Sequence, residues 1–316
     1  MTSPRFIGLP PADLDDLGRP SLVVLGASEA SPYAKGVASH AARAPAALRA
    51  ASMLFAGSLV QHDFDIDRTF FPAKGEYRGM VDAGDVPTTT YDAAGNRTAI
   101  TAAVARVLAA GAVPVMLGGD DSVPIPTIAG FADHGPLTIL HVDAHVDWAD
   151  VVQGNAYGYG SPMRRAAEMD HVTAMVQVGI RGLGSGESWQ HDDARAWGSR
   201  IVTSYALHEQ GPAAVLDHIE EGARVFISID CDGIDPSVLP AVNMPTPGGL
   251  TYEDMIRLIR GVAAKARIAG LALVEYVPDR DDPHRLSGLT AARIATAIMG
   301  LAVAQREDAD PGDPSR

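Results

Sequence analysis

LTILHVDAHVD, residues 137–147, is an apolar, β-branched run that breaks into Asp143-Ala144-His145-Val146-Asp147. Five of the six positions 137–142 are apolar or β-branched, with His141 the exception, and without polar alternation they read as a strand buried on both faces, because a strand with one wet face alternates. Such strands belong to parallel sheets covered by helices on both sides. The same pattern occurs twice more. VPVMLG at 113–118 runs into Gly119-Asp120-Asp121-Ser122, and RVFISID at 224–230 runs into Cys231-Asp232-Gly233-Ile234-Asp235-Pro236. Further strand candidates lie at 21–27, 173–179, 199–203 and 268–277. Segments of helical period fall between them at 40–54, 97–110, 122–132, 161–168, 212–221, 251–265 and 289–303, with Asn96, Ser122, Thr251 and Thr290 as caps or first-turn residues. The alternation predicts the α/β class: one three-layer α/β/α domain with a parallel β-sheet over residues 21–305. An N-terminal extension (1–20) precedes it and a disordered tail (306–316) follows. The Gly- and Pro-rich stretches 72–87 and 240–249 read as long ordered loops. In such a fold, function belongs at the carboxyl ends of the strands.

Composition narrows the chemistry. The 316 residues are 47% apolar and 20% charged, which excludes disordered and fibrous classes. Twenty-five Lys and Arg against 39 Asp and Glu give a formal charge of −14, so nucleic acid and anionic membrane are excluded as partners for want of a basic footprint. No apolar run approaches the roughly 18–20 residues of a membrane span, and MTSPRFIGLPPADLDDLGRP has no basic region followed by an apolar one, so a cytoplasmic protein is expected. Cys231 is the single cysteine; it alternates away from Asp230 and Asp232 and reads as a core thiol. Any metal site must therefore use His and carboxylates. There is no GxxxxGK[ST], HExxH or GxSxG, and the glycines at 182, 184 and 186 do not form GxGxxG.

One Asp-x-Asp pair alone reads as caps and turns, but three acidic strand ends demand more. In extended backbone, residues i, i+2 and i+4 share a face, which would converge Asp143, His145 and Asp147, and likewise Asp230 and Asp232. Carboxylates packed this closely cannot all stay ionised without cations. Two divalent ions resolve the conflict, and an oxygen-rich set with an imidazole suits manganese or magnesium.

These motifs resemble the GGDHS, DAHxD and SxDxDxxDP signatures of the ureohydrolase family, which includes arginase and agmatinase. VDAGDVP (81–87), SPMRRAAEM (161–169) and VEYVP (274–278) also resemble family segments. The resemblance implies an arginase-like sheet, two Mn2+ ions per subunit, and hydrolysis of a linear C–N bond in a cationic guanidino compound to urea and an amine, as in agmatinase or guanidinobutyrase. It makes Asp143 and Asp230 carboxylates that bridge both metals. Asp147 falls on the first metal and counts among the catalytic acids; His145 and Asp232 fall on the second. A water shared by the ions, acidified toward neutrality, would attack the guanidinium carbon. Glu275 would pair with the guanidinium and fix its plane. A homo-trimer or hexamer is also implied.

Two departures stand out. Asp121 occupies the place of a metal-binding histidine; it either ligates the first metal through oxygen or turns outward to cap the helix at 122–132. Tyr159, in Tyr157-Gly158-Tyr159-Gly160-Ser161, stands nearest a family histidine of substrate contact and proton transfer, and reads as a pocket wall. His141 reads as a buried, hydrogen-bonded histidine, Asp120 as a group orienting a ligand, Asp235 with Pro236 as a turn, and Asn243 as a substrate-side contact. Arg164 and Arg165 either meet a substrate carboxylate or form a solvated helix face. The departures leave two alternatives: a catalytically silent subunit beside a paralogous ureohydrolase, or a hydrolase of an amide, amidine or substituted guanidine.

Overall fold

The continuously apolar runs become strands of one sheet in the computed structural model, which describes residues 4–309. In chain order the strands are β1 (Leu22–Ala27), β2 (His62–Asp63), β3 (Arg68–Thr69), β4 (Met80–Asp85), β5 (Val113–Gly118), β6 (Leu137–Val142), β7 (Val172–Ile180), β8 (Arg200–Thr203), β9 (Arg224–Asp230) and β10 (Arg267–Val274). Eight pair in the order β4-β1-β5-β10-β9-β6-β7-β8, every neighbour parallel, while β2 and β3 form a small antiparallel pair. The helices are α1 (Ala44–Ser52), α2 (Ala93–Ala109), α3 (Pro124–Ala129), α4 (Pro162–Ala167), α5 (Ser188–Trp197), α6 (Ser204–Gln210), α7 (Ala213–Leu216), α8 (Tyr252–Lys265) and α9 (Leu286–Ala309).

The sheet separates two apolar cores. Leu22 and Val24 of β1 enter one, with α1, α8 and α9; Val23 and Leu25 enter the other, with α2, α3 and α4. This strict alternation of faces explains why the strand sequence itself shows none: both faces are dry. After β5 the chain skips over two strand positions to β6, and only later do β9 and β10 fill the gap. The three acidic motifs and Glu275 thus emerge from four adjacent central strands, β5, β10, β9 and β6.

Several expectations are corrected. Within the expected loop 72–87, Met80–Asp85 is the edge strand β4, paired with β1. The strand expected through 277 stops at Val274, because Glu275 adopts φ +62°. Helices α5 and α6 stand where the sequence reading placed none. The helix expected over 122–132 shrinks to Pro124–Ala129. Thr251 caps α8, but Asp92 rather than Asn96 caps α2. Residues 306–309 continue α9 instead of disordering; the rest of the expected tail, 310–316, lies outside the described residues. By length and composition α9 could cross a membrane, contrary to the expectation from apolar runs, yet 78% of its most apolar window is buried inside the protein, as suits a core helix. The segment before β1 packs onto the domain: Phe6, Ile7 and Leu9 are buried, and the Phe6 N–H donates to Asp82 at 2.8 Å.

Candidate active site

Beyond β5 the chain turns at Gly119, where a Cβ would lie 1.7 Å from the Ser28 carbonyl oxygen, so only glycine permits the approach. That approach lets the Gly119 carbonyl accept the Glu275 N–H (2.8 Å), and the Asp121 N–H in turn donates to Glu275 Oε1 (3.0 Å). The tips of β5 and β10 are thereby clamped together. Ser122 Oγ donates to Asp120 Oδ1 (2.5 Å) and accepts the Ala30 and Ser31 N–H groups (3.2 and 2.9 Å). Asp120 therefore braces the Ser122 loop rather than orienting the Asp121 carboxylate.

The convergence of the other acids differs from the pleat expected. Strand β6 ends at Val142; Asp143 Oδ1 accepts the His145 N–H (2.6 Å), and Asp147 has the left-handed φ of +47°. A tight turn, not extended backbone, brings these side chains inward. Likewise Asp230 Oδ1 accepts the Asp232 N–H (2.8 Å) at the start of a short 3-10 turn, and Asp232 Oδ1 accepts the Ala144 N–H (3.2 Å). Gly233 passes so close to β6 that a Cβ would lie 2.6 Å from the Asp143 nitrogen. Buried Arg181 locks this loop. Its guanidinium donates to the carbonyls of Gly179, Asp232, Gly233, Thr246 and Pro247 at 2.5–3.2 Å.

These turns assemble two groups of donor atoms, each group lying within 4.8 Å: Asp121, His141, Asp143 and Asp147 in one, Asp143, His145 and Asp232 in the other. Asp143 belongs to both. Asp230 and Glu275 stand outside the two groups but line the same cavity. Asp121 is 1% exposed, and no donor reaches either of its oxygens; Asp143 Oδ2 and His141 Nε2 are equally without a hydrogen-bond partner. Asp121 caps nothing, since Val123 holds the N-cap position of α3. Buried acceptors left without donors are rare and costly. Here they face one another, an arrangement that fits cations.

His141 is fully buried. The Gln177 amide nitrogen donates to the Val146 carbonyl (2.8 Å) and faces His141 Nδ1 at 3.1 Å, which makes Nδ1 the acceptor and leaves the ring proton on Nε2. Nε2 lies 2.9 Å from Asp143 Oδ2. The two atoms are close without forming a hydrogen bond, so His141 stays in the first group beside the oxygen set of Asp121, Asp143 and Asp147.

Charge crowding leaves its mark on every member. Burial, then the charges of Asp147 and Asp143, hold Asp121 well above the usual carboxylate range, and burial with Asp232 and Asp143 does the same to Asp230. Desolvation first and neighbouring carboxylates second push Asp143 and Asp147 up to about 7. Burial alone would depress the His145 imidazole, but Asp143 and Asp232, each 3.2 Å from Nδ1, push it up to about 11. Burial also raises Asp232, yet the hydrogen bond and charge of His145 leave it below its ordinary value. Divalent cations relieve this repulsion, and the oxygen-rich donors favour hard ions.

The cavity over these groups measures about 190 Å³, room for a small head group. Trp148, Tyr159 and Met244 give it an apolar wall; Ser185, Gln190 and Asn243 add uncharged polar groups. Among the described residues, no Lys or Arg lines it. Arg164 and Arg165, considered above for a substrate carboxylate, pair with Asp193 and Asp150 instead, at 2.7 and 2.6 Å. One residue at this site was missed altogether. His40, 235 positions from Glu275, places Nε2 2.5 Å from Glu275 Oε2 and meets the Tyr159 ring edge-on with centroids 5.5 Å apart. It sits in no motif, and nothing in SHAAR at 39–43 points to it. Arg181 and Gln177 were missed as well, since their partners are backbone carbonyls and a buried ring that only the fold brings near.

Comparison with known proteins agrees with this architecture. The arginase family matches residues 23–300. The chain is 34% identical over 310 residues to proclavaminate amidinohydrolase of Streptomyces clavuligerus, covering 94% of each chain. It is 33% identical over 235 residues to N(1)-aminopropylagmatine ureohydrolase of Thermus thermophilus, covering 72% of this chain and 76% of that protein. The solved structure of the Streptomyces clavuligerus amidinohydrolase superposes with a TM-score of 0.81 at 28% identity, over 96% of this chain and 98% of that one. The fold and the acidic strand ends define a hydrolase of amidino C–N bonds in a family that depends on a binuclear metal centre. The chain belongs to the arginase family.

Proposed function

We propose that the protein is a manganese-dependent hydrolase of a linear, cationic guanidino compound of the agmatine type, releasing urea and an amine. The observation that carries this reading is the pair of donor groups sharing Asp143 beneath a cavity that, among the described residues, no Lys or Arg lines. A guanidinium entering it finds carboxylates at the floor, while a tail carboxylate finds no cationic partner. In this reading Asp143 and Asp230 would help hold both ions, Asp121 and Asp147 would add to the first site, and His145 and Asp232 to the second. Bound there, the ions would supply Lewis acidity and a water acidic enough to react near neutral pH.

The chain's own groups do the rest. Glu275 is fixed from both sides, its N–H on Gly119 and its Oε1 on the Asp121 N–H, so its carboxylate can hold a planar guanidinium in one orientation. Trp148 and Tyr159 wall the substrate from bulk water, and Asn243 offers a polar contact at the rim. The silent-subunit alternative draws its support from Asp121 standing where a histidine would be. Against it, the Asp121 oxygens are buried and free of donors, as working ligands require.

The test is urea release by metal-loaded protein from agmatine and from a panel of other guanidino compounds. Activity should require added Mn2+ and fall at least about 10³-fold in Asp143→Ala. Protein saturated with two ions but silent on the whole panel, or releasing ammonia in place of urea, would overturn the reading.

A further inference from the structure

Hydrolysis of a guanidinium, R–NH–C(NH2)2+ plus water giving R–NH3+ plus urea, has a proton problem. The C–N bond breaks with its electron pair on nitrogen, a C–O bond forms, and both protons of the water finish on the departing amine. A group beside that nitrogen must collect and deliver them. Asp121, Asp143, Asp147, Asp232 and His145 are crowded into the two donor groups, and Asp230 lies buried in the same cavity lining. Tyr159 is held above its already high ordinary value by burial and then by the charge of Glu275, a poor donor near neutrality. Cys231 is buried.

The geometry points to His40 as a catalytic residue that passes a proton to the departing amine, an inference that rests on the guanidino hydrolysis proposed above. Glu275 Oε1 already accepts the Asp121 N–H and His40 Nε2 lies on Oε2, so a guanidinium held by this carboxylate would sit beside the imidazole. Two donors on the lone pairs of one oxygen stand about 4–5 Å apart, the span of a close contact or one water. The ring is anchored rather than loose. Beside it the Ser39 N–H donates to the buried carboxylate of Glu29 (3.1 Å), and Tyr159 packs against one edge. The side chain keeps 24% of its surface exposed, which leaves a route to solvent protons while Nε2 faces the buried acid. Burial opposes its imidazolium form, but the hydrogen bond and charge of Glu275, helped by the charge of Asp120, outweigh burial and the weaker opposition of Arg280. The imidazolium gives its proton to the leaving nitrogen, regains one of the attacking water's two, delivers that one as well and takes up the second, so both water protons reach the amine in effect and the residue ends unchanged.

The experiment compares wild type, His40→Ala and His40→Gln, each loaded with Mn2+ and assayed on a guanidino compound that wild type turns over. Both variants should keep two ions per chain and lose about 10²–10³-fold in kcat. Free imidazole in the buffer should restore part of the His40→Ala rate. His40→Gln can still donate to Glu275 but carries no proton. A His40→Gln variant near wild-type rate would reduce His40 to a partner of Glu275 and overturn the proton role. Should His40→Ala lose metal or misfold, His40→Gln decides the matter by the same rate criterion. Wild-type turnover with both variants unimpaired overturns this inference alone, whereas wild type that holds two ions and hydrolyses no guanidino compound overturns the function proposed above and this inference with it.

Discussion

Asp143 and Asp147 show what the site costs when it stands without cations. Each is pushed up to about 7, first by desolvation and then by neighbouring carboxylates, against about 3.9 in an unfolded chain. A carboxyl whose folded value is raised contributes stability that is complete below the unfolded value and is lost as pH rises through the folded one. Metal-free protein should therefore lose stability between about pH 4 and pH 7. His145, raised to about 11, acts with the same sign, but its loss continues far above that window; Asp232, lowered, acts with the opposite sign below it. Divalent ions bind the ionised carboxylates and remove the penalty. The expected outcome is a Tm increase on adding Mn2+ that is small at about pH 5 and several-fold larger at about pH 8, read by thermal melts with and without metal. An increment equal at both values would mean that these carboxylates do not hold the ions.

At the level of elements, the site is four strand tips stitched together by backbone, and Arg181 is the principal stitch between β7, the Asp232 turn and the loop at 246–247. Removing it leaves buried carbonyls without donors. Arg181→Ala should cost about 2–4 kcal/mol, lower the urea midpoint at unchanged slope, and weaken metal retention because Asp232 loses its support. A midpoint shift under about 0.5 kcal/mol equivalent would contradict this account. The elements differed in how openly the sequence declared them. Central strands such as β6 and β9 were legible because burial on both faces leaves an unbroken apolar run. Strand β4 was not, for MVDAGD carries acids that only tertiary partners justify: Asp82 is satisfied by Arg49, Phe6 N–H and Gly84 N–H. Helix α5, SWQHDDARAW, buries little beyond Ala194 and declares itself mainly through a capping box between Glu187 and Gln190. The acidic motifs revealed which residues meet but not how, because a positive φ at Asp147 and the turn capped by Asp230 replace the pleat. His40 was invisible, since a lone histidine in a loop acquires meaning only from the Glu275 beside it.

Taken whole, the molecule carries a formal charge of −14, and its cavity concentrates that sign at the carboxyl ends of the central strands. Even with two divalent ions bound, Glu275 still lines the cavity and the buried carboxylate of Asp120 acts on His40 and Tyr159 beside it, while Lys and Arg are absent from the lining among the described residues. A cleft with low-dielectric walls focuses such a field and raises the local concentration of cations. The field reaches about 30 Å at 10 mM salt and about 8 Å at 150 mM. Salt should therefore act on capture rather than on chemistry. For a doubly cationic guanidino amine such as agmatine, kcat/KM is expected to fall about three- to tenfold over that range while kcat stays nearly constant. A guanidino acid, whose charges cancel, should show almost no slope. Steady-state kinetics of both compounds across the salt series checks this, with metal content measured at each point. Equal slopes for the two would trace the effect to the protein or its ions, and the acidic balance of the chain would then have no part in selecting its substrate.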